Sequence, residues 1–76
     1  MITVLFFGSL TDVTTVHELQ VDAISDTEQL ISFLNGKYPA LQTAKYFISV
    51  NQQMVQEKIT IQRDDIVALM PPFSGG

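Results

Sequence analysis

Residues 25–36 read Ser-Asp-Thr-Glu-Gln-Leu-Ile-Ser-Phe-Leu-Asn-Gly, and they decide the fold class because they predict the one helix of the chain. Ser25 can accept a hydrogen bond from the backbone N–H of Glu28, and Glu28 can reach back to Ser25, which is the pattern of a capping box. Gly36 can take a left-handed conformation and end the helix. The helix is therefore predicted near residues 26–35. Its apolar side chains share one face: Leu30, Ile31, Phe33 and Leu34.

The apolar and β-branched runs on either side of this helix predict strands. A turn is predicted over residues 8–13 and another at Asn51-Gln52-Gln53, while residues 56–65 are polar and typical of a loop. A single helix among strands predicts an α+β fold, in which a sheet of four to five strands is covered on one face by one helix. The predicted strands span residues 2–7, 14–21, 46–50, 54–55 and 66–70.

The first predicted strand is apolar on both of its faces. If Ile2, Val4 and Phe6 face the helix, then Leu5 and Phe7 point away from it, because side chains alternate along a strand. The same interpretation places Leu30, Phe33 and Leu34 against the sheet. One helix cannot cover both faces, so the second face is predicted to expose apolar side chains.

Composition narrows the class of protein. The chain has 76 residues, which predicts a single domain over residues 1–76, and 46% apolar residues against 16% charged ones argue against disorder. It has no cysteine, which excludes disulfides and thiolate sites, and a net charge of −4 disfavours nucleic-acid binding. No apolar run is long enough for a membrane span, and the start lacks a basic signal-peptide region. We expect a cytoplasmic protein.

Few side chains are arranged for catalysis. His17 is the single histidine, and a surface or structural role is the simpler interpretation. Asp64 and Asp65 are adjacent, so on a strand they would point to opposite faces and could not converge on one site. No glycine-rich phosphate loop is present. We therefore predict neither a metal site nor an autonomous enzyme.

The segment 70–76, Met-Pro-Pro-Phe-Ser-Gly-Gly, is the most informative for function. Pro71-Pro72 ends the last strand, because proline cannot donate to a ladder, and stiffens the exit of the chain from the sheet. Phe73 is apolar with nothing of its own to pack on, and Gly75-Gly76 removes every side chain next to the last carboxyl group. An extended tail of this length reaches about 20 Å, and its glycines could enter a slot too narrow for other residues. A frayed terminus is the simpler alternative.

The chain resembles the family of molybdopterin synthase small subunits. The members of that family are ubiquitin-like β-grasp sulfur carriers. The resemblance is carried by residues 4–7 (VLFF), 50–52 (VNQ) and, most specifically, 67–76 (VALMPPFSGG). Two positions depart from the family. The family often has Ala where Gly8 lies, and it usually has Asp-Gly-Asp where this chain has Arg-Asp-Asp at 63–65. Asp tolerates the left-handed conformation, and neither departure is expected to touch the tail.

The resemblance implies a β-grasp fold with a flexible C-terminal Gly-Gly tail over residues 71–76, and a mechanism for it. A ubiquitin-activating-like adenylyltransferase would use ATP to adenylate Gly76, and sulfur would replace AMP to leave a thiocarboxylate. The tail would then enter the large subunit of molybdopterin synthase, in a heterotetramer, and donate sulfur to the pterin precursor, cyclic pyranopterin monophosphate. The residues threading into the partner would be Pro71, Pro72, Phe73, Ser74 and Gly75.

The resemblance also implies a partner-binding patch at Phe7, Met54 and Met70. Catalytic acids and bases would come from the partners, and ATP would be bound by the activating enzyme, so this chain would bind no cofactor or metal. Two kinds of alternative stay open. One is another β-grasp carrier, either of the thiamin pathway or a protein modifier. The other is a non-reactive binding module whose tail only docks.

Overall fold

The computed structural model describes residues 1–72. The described chain forms one five-stranded sheet in the order β2-β1-β5-β3-β4 with helix α2 packed on it, a β-grasp arrangement that confirms the predicted fold class. The elements are β1 (Ile2–Phe6), α1 (Leu10–Thr14), β2 (Glu18–Val21), α2 (Thr27–Lys37), a 3-10 turn (Pro39–Gln42), β3 (Phe47–Val50), β4 (Gln53–Val55) and β5 (Ile66–Met70).

The centre of the sheet is a parallel pair formed by the first and last strands. β1 pairs with β5 in a register that sets Thr3 beside Ile66 and Phe6 beside Leu69. β2 adds antiparallel to the free side of β1, β3 adds antiparallel to β5, and β4 returns from β3 as a hairpin. The end of β1 and the end of β5 therefore lie side by side at the same end of the sheet.

The core lies between the sheet and α2. Ile2, Val4 and Phe6 are buried on the helix side, as the alternation of the first strand predicted. Leu30 and Leu34 of α2 pack into the same core. The prediction for Phe33 was wrong, because this side chain is 44% exposed. The buried stripe of the helix is narrower than the apolar stripe of its sequence.

Helix α2 begins and ends later than its sequence indicated. Its N-cap is Asp26, whose Oδ1 accepts from the backbone N–H of Gln29 at 2.8 Å, while Gln29 Oε1 accepts from the backbone N–H of Ser25 at 3.0 Å. The cap thus lies one residue after the predicted Ser25–Glu28 box. Gly36 does not end the helix, which continues to Lys37.

The segment after β1 is helical rather than a simple turn. Residues 10–14 form α1, and β2 begins at Glu18 instead of residue 14. Leu10 is buried, and the buried Thr14 hydroxyl donates to the carbonyl of Val16 at 2.8 Å. Tertiary burial therefore overrides the strand preference of this β-branched segment. A smaller correction concerns Gln53, which is the first residue of β4 and not part of the preceding turn.

A cluster of hydrogen bonds joins the β3–β4 turn to the start of β5. Asn51 Nδ2 donates to Asp65 Oδ1 at 3.0 Å, and Asn51 Oδ1 accepts from the backbone N–H of Ile66 at 3.0 Å. Asp65 Oδ2 accepts from the backbone N–H of Gln62 at 2.8 Å. The bonds from Gln62 and then from Asn51 hold the pKa of the Asp65 carboxyl below its usual range. Asp64 next to it has φ of 68°, the left-handed conformation that was predicted there.

We expect Asp65 to make stability depend on pH in the acid range. Its pKa is lower in the folded state than in the unfolded state, so its contribution is present above the unfolded pKa of about 3.9 and is lost as pH falls below it. In Asp65→Asn, the thermal midpoint should fall less than in the parent protein as pH is lowered from about 5 to 2. Asp12→Asn, which removes an exposed carboxylate, is the control. If the thermal midpoint falls equally with pH in both variants, Asp65 does not cause the pH dependence.

Candidate functional site

The face of the sheet opposite α2 has no covering element among residues 1–72. Strand register brings side chains of four strands together there, because neighbours along a strand alternate between faces. Met54, Ser49, Ala68 and Leu5 lie in one row across β4, β3, β5 and β1. Phe47 lies beside Met70 in the next row, and Phe7 follows in the same register.

This face carries a contiguous apolar surface, which we call the open-face patch. Its most exposed members are Met54 at 54%, Phe47 and Ile66 at 48% and Phe7 at 47%, while Met70 is partly buried. Exposed large apolar side chains that cluster in this way mark interaction surfaces in small soluble domains. The patch consists of Leu5, Phe7, Phe47, Met54, Ile66, Ala68 and Met70.

The structure brings together the three residues expected to bind partners. Phe7, Met54 and Met70 all lie in the open-face patch, and their binding role stays a prediction. Sequence reasoning missed Phe47 and Ile66, which are as exposed as Phe7. The signal for Phe47 was available, since it alternates with the buried Ile48 in a predicted strand. The signal for Ile66 was also available, since it lies four residues before Met70 in the same predicted strand and so shares its face.

The tail leaves the sheet at the edge of the open-face patch. Pro71 and Pro72 are partly buried and line a shallow apolar cavity together with Phe7, Gly8 and Met70. The expectation that the departure at Gly8 stays clear of the tail was wrong, because Gly8 contacts the Pro71 ring. The predicted threading residues Phe73, Ser74 and Gly75, the reactive Gly76 and the expected flexibility of the tail lie outside the described residues.

The described part of the chain offers no metal-binding cluster. Within residues 1–72, no group of three or more His, Asp or Glu side chains is placed to hold a metal ion. His17 is exposed on the segment between α1 and β2. Burial raises the pKa of the Tyr46 phenol, which is therefore neutral at physiological pH. In the same range of residues, no helix has the length and apolar character needed to cross a bilayer.

A family model described as the ThiS family matches residues 4–76, nearly the whole chain and the tail with it. The chain belongs to the ThiS family. Membership makes this ThiS-family chain a small ubiquitin-like sulfur carrier or modifier, in keeping with a subunit that does not itself catalyse. It agrees with the β-grasp sheet and with the position of the open-face patch beside the exit of the tail.

Solved structures of other proteins share this fold. Small archaeal modifier protein 1 of Methanosarcina acetivorans matches with a TM-score of 0.80 and 20% identity, over 99% of this chain and 95% of that one. A protein of Pyrococcus furiosus assigned as molybdopterin converting factor subunit 1 matches with a TM-score of 0.80 and 18% identity, over 95% of this chain and 97% of that one. A Helicobacter pylori complex of subunits 1 and 2 of molybdopterin-converting factor contains a chain that matches with a TM-score of 0.75 and 22% identity, over 99% of this chain and 97% of that one. At these identities the likeness establishes the fold.

Two adjacent phenylalanines test which face of β1 is buried. Phe6 is 2% exposed and Phe7 is 47% exposed. Phe6→Ala should lower the free energy of unfolding by about 3–5 kcal/mol, because it leaves a cavity in the core. Phe7→Ala should change it by less than about 1 kcal/mol. Urea denaturation of both variants measures the difference, and a larger loss for Phe7→Ala would invert the face assignment.

Proposed function

We propose that this chain is the sulfur-carrier subunit of a molybdopterin synthase and acts in the cytoplasm. The observation that carries the proposal is the position of Pro71-Pro72 beside the open-face patch, in a chain that the family model matches through Gly76. A partner that docks on the patch would meet the tail at its edge. The spacer before the two glycines favours the molybdopterin pathway over other carriers of the family.

The proposed chemistry takes place on the last carboxyl group. A carboxylate oxygen of Gly76 attacks the α-phosphorus of ATP in the activating partner, and pyrophosphate leaves. The resulting acyl-adenylate has an electrophilic carbonyl carbon, so a sulfur nucleophile can displace AMP and leave a thiocarboxylate. The thiocarboxylate sulfur is itself a nucleophile. In the large subunit it would attack a carbon of the pterin precursor and displace an oxygen substituent, and water would then cleave the acyl carbon–sulfur bond, so that the sulfur stays on the pterin and the Gly76 carboxylate is regenerated. Catalytic acids and bases would be supplied by the partners.

The open-face patch fits two successive partners. Both an adenylyltransferase and a synthase large subunit must recognise this domain, and methionine repacks easily against different surfaces. Met54 and Met70 lie at two separate positions of the patch. The chain has a net charge of −4, which favours partners with a basic cleft around the site of docking. The complex of subunits 1 and 2 in Helicobacter pylori supports a large-subunit partner of this kind.

A protein modifier is the second candidate function, and the similarity to small archaeal modifier protein 1 favours it. The activation step would be the same, but the acyl group would pass to an amine of a target protein. A carrier of the thiamin pathway would also share the activation step. Intact mass spectrometry of protein from the native host separates these outcomes. A terminal oxygen replaced by sulfur indicates a carrier, a covalent adduct with another protein indicates a modifier, and neither indicates a binding module.

Deletion of Gly76 should abolish activation without affecting the fold. The last strand ends at Met70, six residues before Gly76 in the sequence, so the deletion removes no residue of the sheet. Pyrophosphate release by the activating enzyme should be lost, while the thermal midpoint stays within about 1–2 °C of the parent. Gly36→Ala is the control, since it changes a glycine on α2 whose Cβ position has no atom within 4 Å. Full activation of the shortened chain would refute the carrier proposal.

Phe7→Ala should weaken binding to both partners by about 1–3 kcal/mol, the usual range for an interface anchor. Phe33→Ala is a matched control, because Phe33 is 44% exposed but lies on α2, on the other layer of the domain. Isothermal titration with each partner should show weaker binding for the first variant and parental binding for the second. If Phe33→Ala weakens binding and Phe7→Ala does not, the docking surface lies on the helix and not on the sheet.

A further inference from the structure

Lys45 is a basic side chain at the end of the open-face patch where the chain leaves the sheet. It is exposed, and it lines the apolar cavity there together with Met70 and Pro72. Within residues 1–72, no carboxylate lies close enough to its ammonium group for an ion pair. The other three basic residues of the chain lie at the end of α2, beside the start of α2 and in the turn before β5: Lys37, Lys58 and Arg63. A partner that docks on the patch would therefore meet Lys45 at the exit.

An acidic side chain, Glu18, flanks the same face of the sheet on its other side. Glu18 is exposed and is paired with Leu5 across β2 and β1, and partners across an antiparallel pair lie on the same face. Its Oε2 accepts from Gln20 Nε2 at 3.1 Å, and the same Nε2 donates to Thr3 Oγ1 at 3.0 Å. These hydrogen bonds hold the carboxylate beside the patch, on the edge strand β2.

The two charges lie too far apart to pair with each other. Three strand spacings separate β2 from β3 across the sheet, which is about 14 Å. Lys45 also lies four residues before Ser49, which shares the row of Glu18, so the offset along the strands is about 13 Å. The two residues are therefore roughly 20 Å apart. That separation is more than twice the Debye length of about 8 Å at physiological ionic strength, so each charge acts on a partner independently.

We propose that Lys45 and Glu18 orient the synthase large subunit on the open-face patch: Lys45 faces a carboxylate of that partner, and Glu18 faces a cationic side chain. The inference rests on the proposed function for the identity of the partner. Charge complementarity carries it, because a chain with a net charge of −4 favours a basic cleft, and in such a cleft a lysine is repelled unless an acidic group faces it. Rotation of the partner by half a turn on the patch would set like charges against each other, so the two charges select one orientation.

Charge reversal at Lys45 separates this local pairing from the general field of the chain. Lys45→Glu takes the net charge from −4 to −6, because an anion replaces a cation, and the general field alone would then speed association with a basic partner. The local pairing predicts the opposite, a slower association and a dissociation constant raised about 3- to 10-fold at low ionic strength. Lys58→Glu makes the same change of net charge beside α2, away from the patch, and should bind at least as tightly as the parent.

Charge reversal at Glu18 tests the other flank. Glu18→Lys and Glu28→Lys both take the net charge from −4 to −2, so a weaker field should slow both, but we expect the first variant to bind about 3- to 10-fold more weakly than the second. Glu28 is exposed on α2, in the other layer of the domain. Lys45→Glu combined with Glu18→Lys leaves the net charge at −4 and should still weaken binding. All these differences should shrink as salt is raised.

Stopped-flow association and isothermal titration with the large subunit measure these effects. Because the substituted side chains are exposed, each variant should keep its thermal midpoint within about 2–4 °C of the parent. One carboxylate of the partner, changed to lysine, should restore the binding of Lys45→Glu.

Three results would overturn the inference and leave the proposed function intact: Lys45→Glu that binds as tightly as Lys58→Glu, parental binding by the double variant, or no partner carboxylate whose reversal restores binding. A parent chain that binds no large subunit would instead refute the proposed function, and the inference would fall with it.

Discussion

The parallel pairing of β1 with β5 is the constraint on which the rest of the domain depends. Val4 and Val67 meet at the middle of this pair and are completely buried. The pairing places the ends of both strands at the same end of the sheet. The Phe7 N–H donates to the Leu69 carbonyl there and forms the last hydrogen bond between the two segments. β1 and β5 thus carry part of the open-face patch, and the chain leaves the sheet at the end of β5, so the patch and the exit of the chain are fixed relative to each other.

A second constraint is that the described residues provide helical cover for only one face of the sheet. One helix packs on a sheet of five strands, and the opposite face is left to water in the free domain. Exposed apolar side chains on that face add nothing to the core, and they carry a risk of aggregation. The shared position of Phe7, Phe47 and Met54 on this face is easiest to understand as a surface that partners cover. On the proposed function, one face of the sheet stabilises the domain and the other recognises its partners.

Several features could be predicted from the sequence because each depends on local pattern. Alternation along residues 2–7 separates the buried from the exposed side chains of β1, and Pro71 marks the end of β5. Other features depend on contacts between distant residues. Helix α1 exists because Leu10 and Thr14 are buried by the rest of the domain, and the pairing of the first strand with the last one is a contact between the two ends of the chain. The contact of Gly8 with Pro71 lies between residues far apart in sequence, and no pattern in either segment indicates it.

The central position of β1 and β5 also determines the order in which the domain can fold. Nearly the whole described chain lies between these two strands, so their pairing closes a long loop and is slow compared with helix formation. The hydrogen bonds within the β3–β4 hairpin and within α2 join residues close in sequence, so these two elements can form earlier. The open-face patch requires β1 beside β5, and so does the contact between Gly8 and Pro71. A partner that recognises the patch beside the exit of the chain would therefore discriminate against partly folded chains, because the two lie side by side only when the sheet is complete.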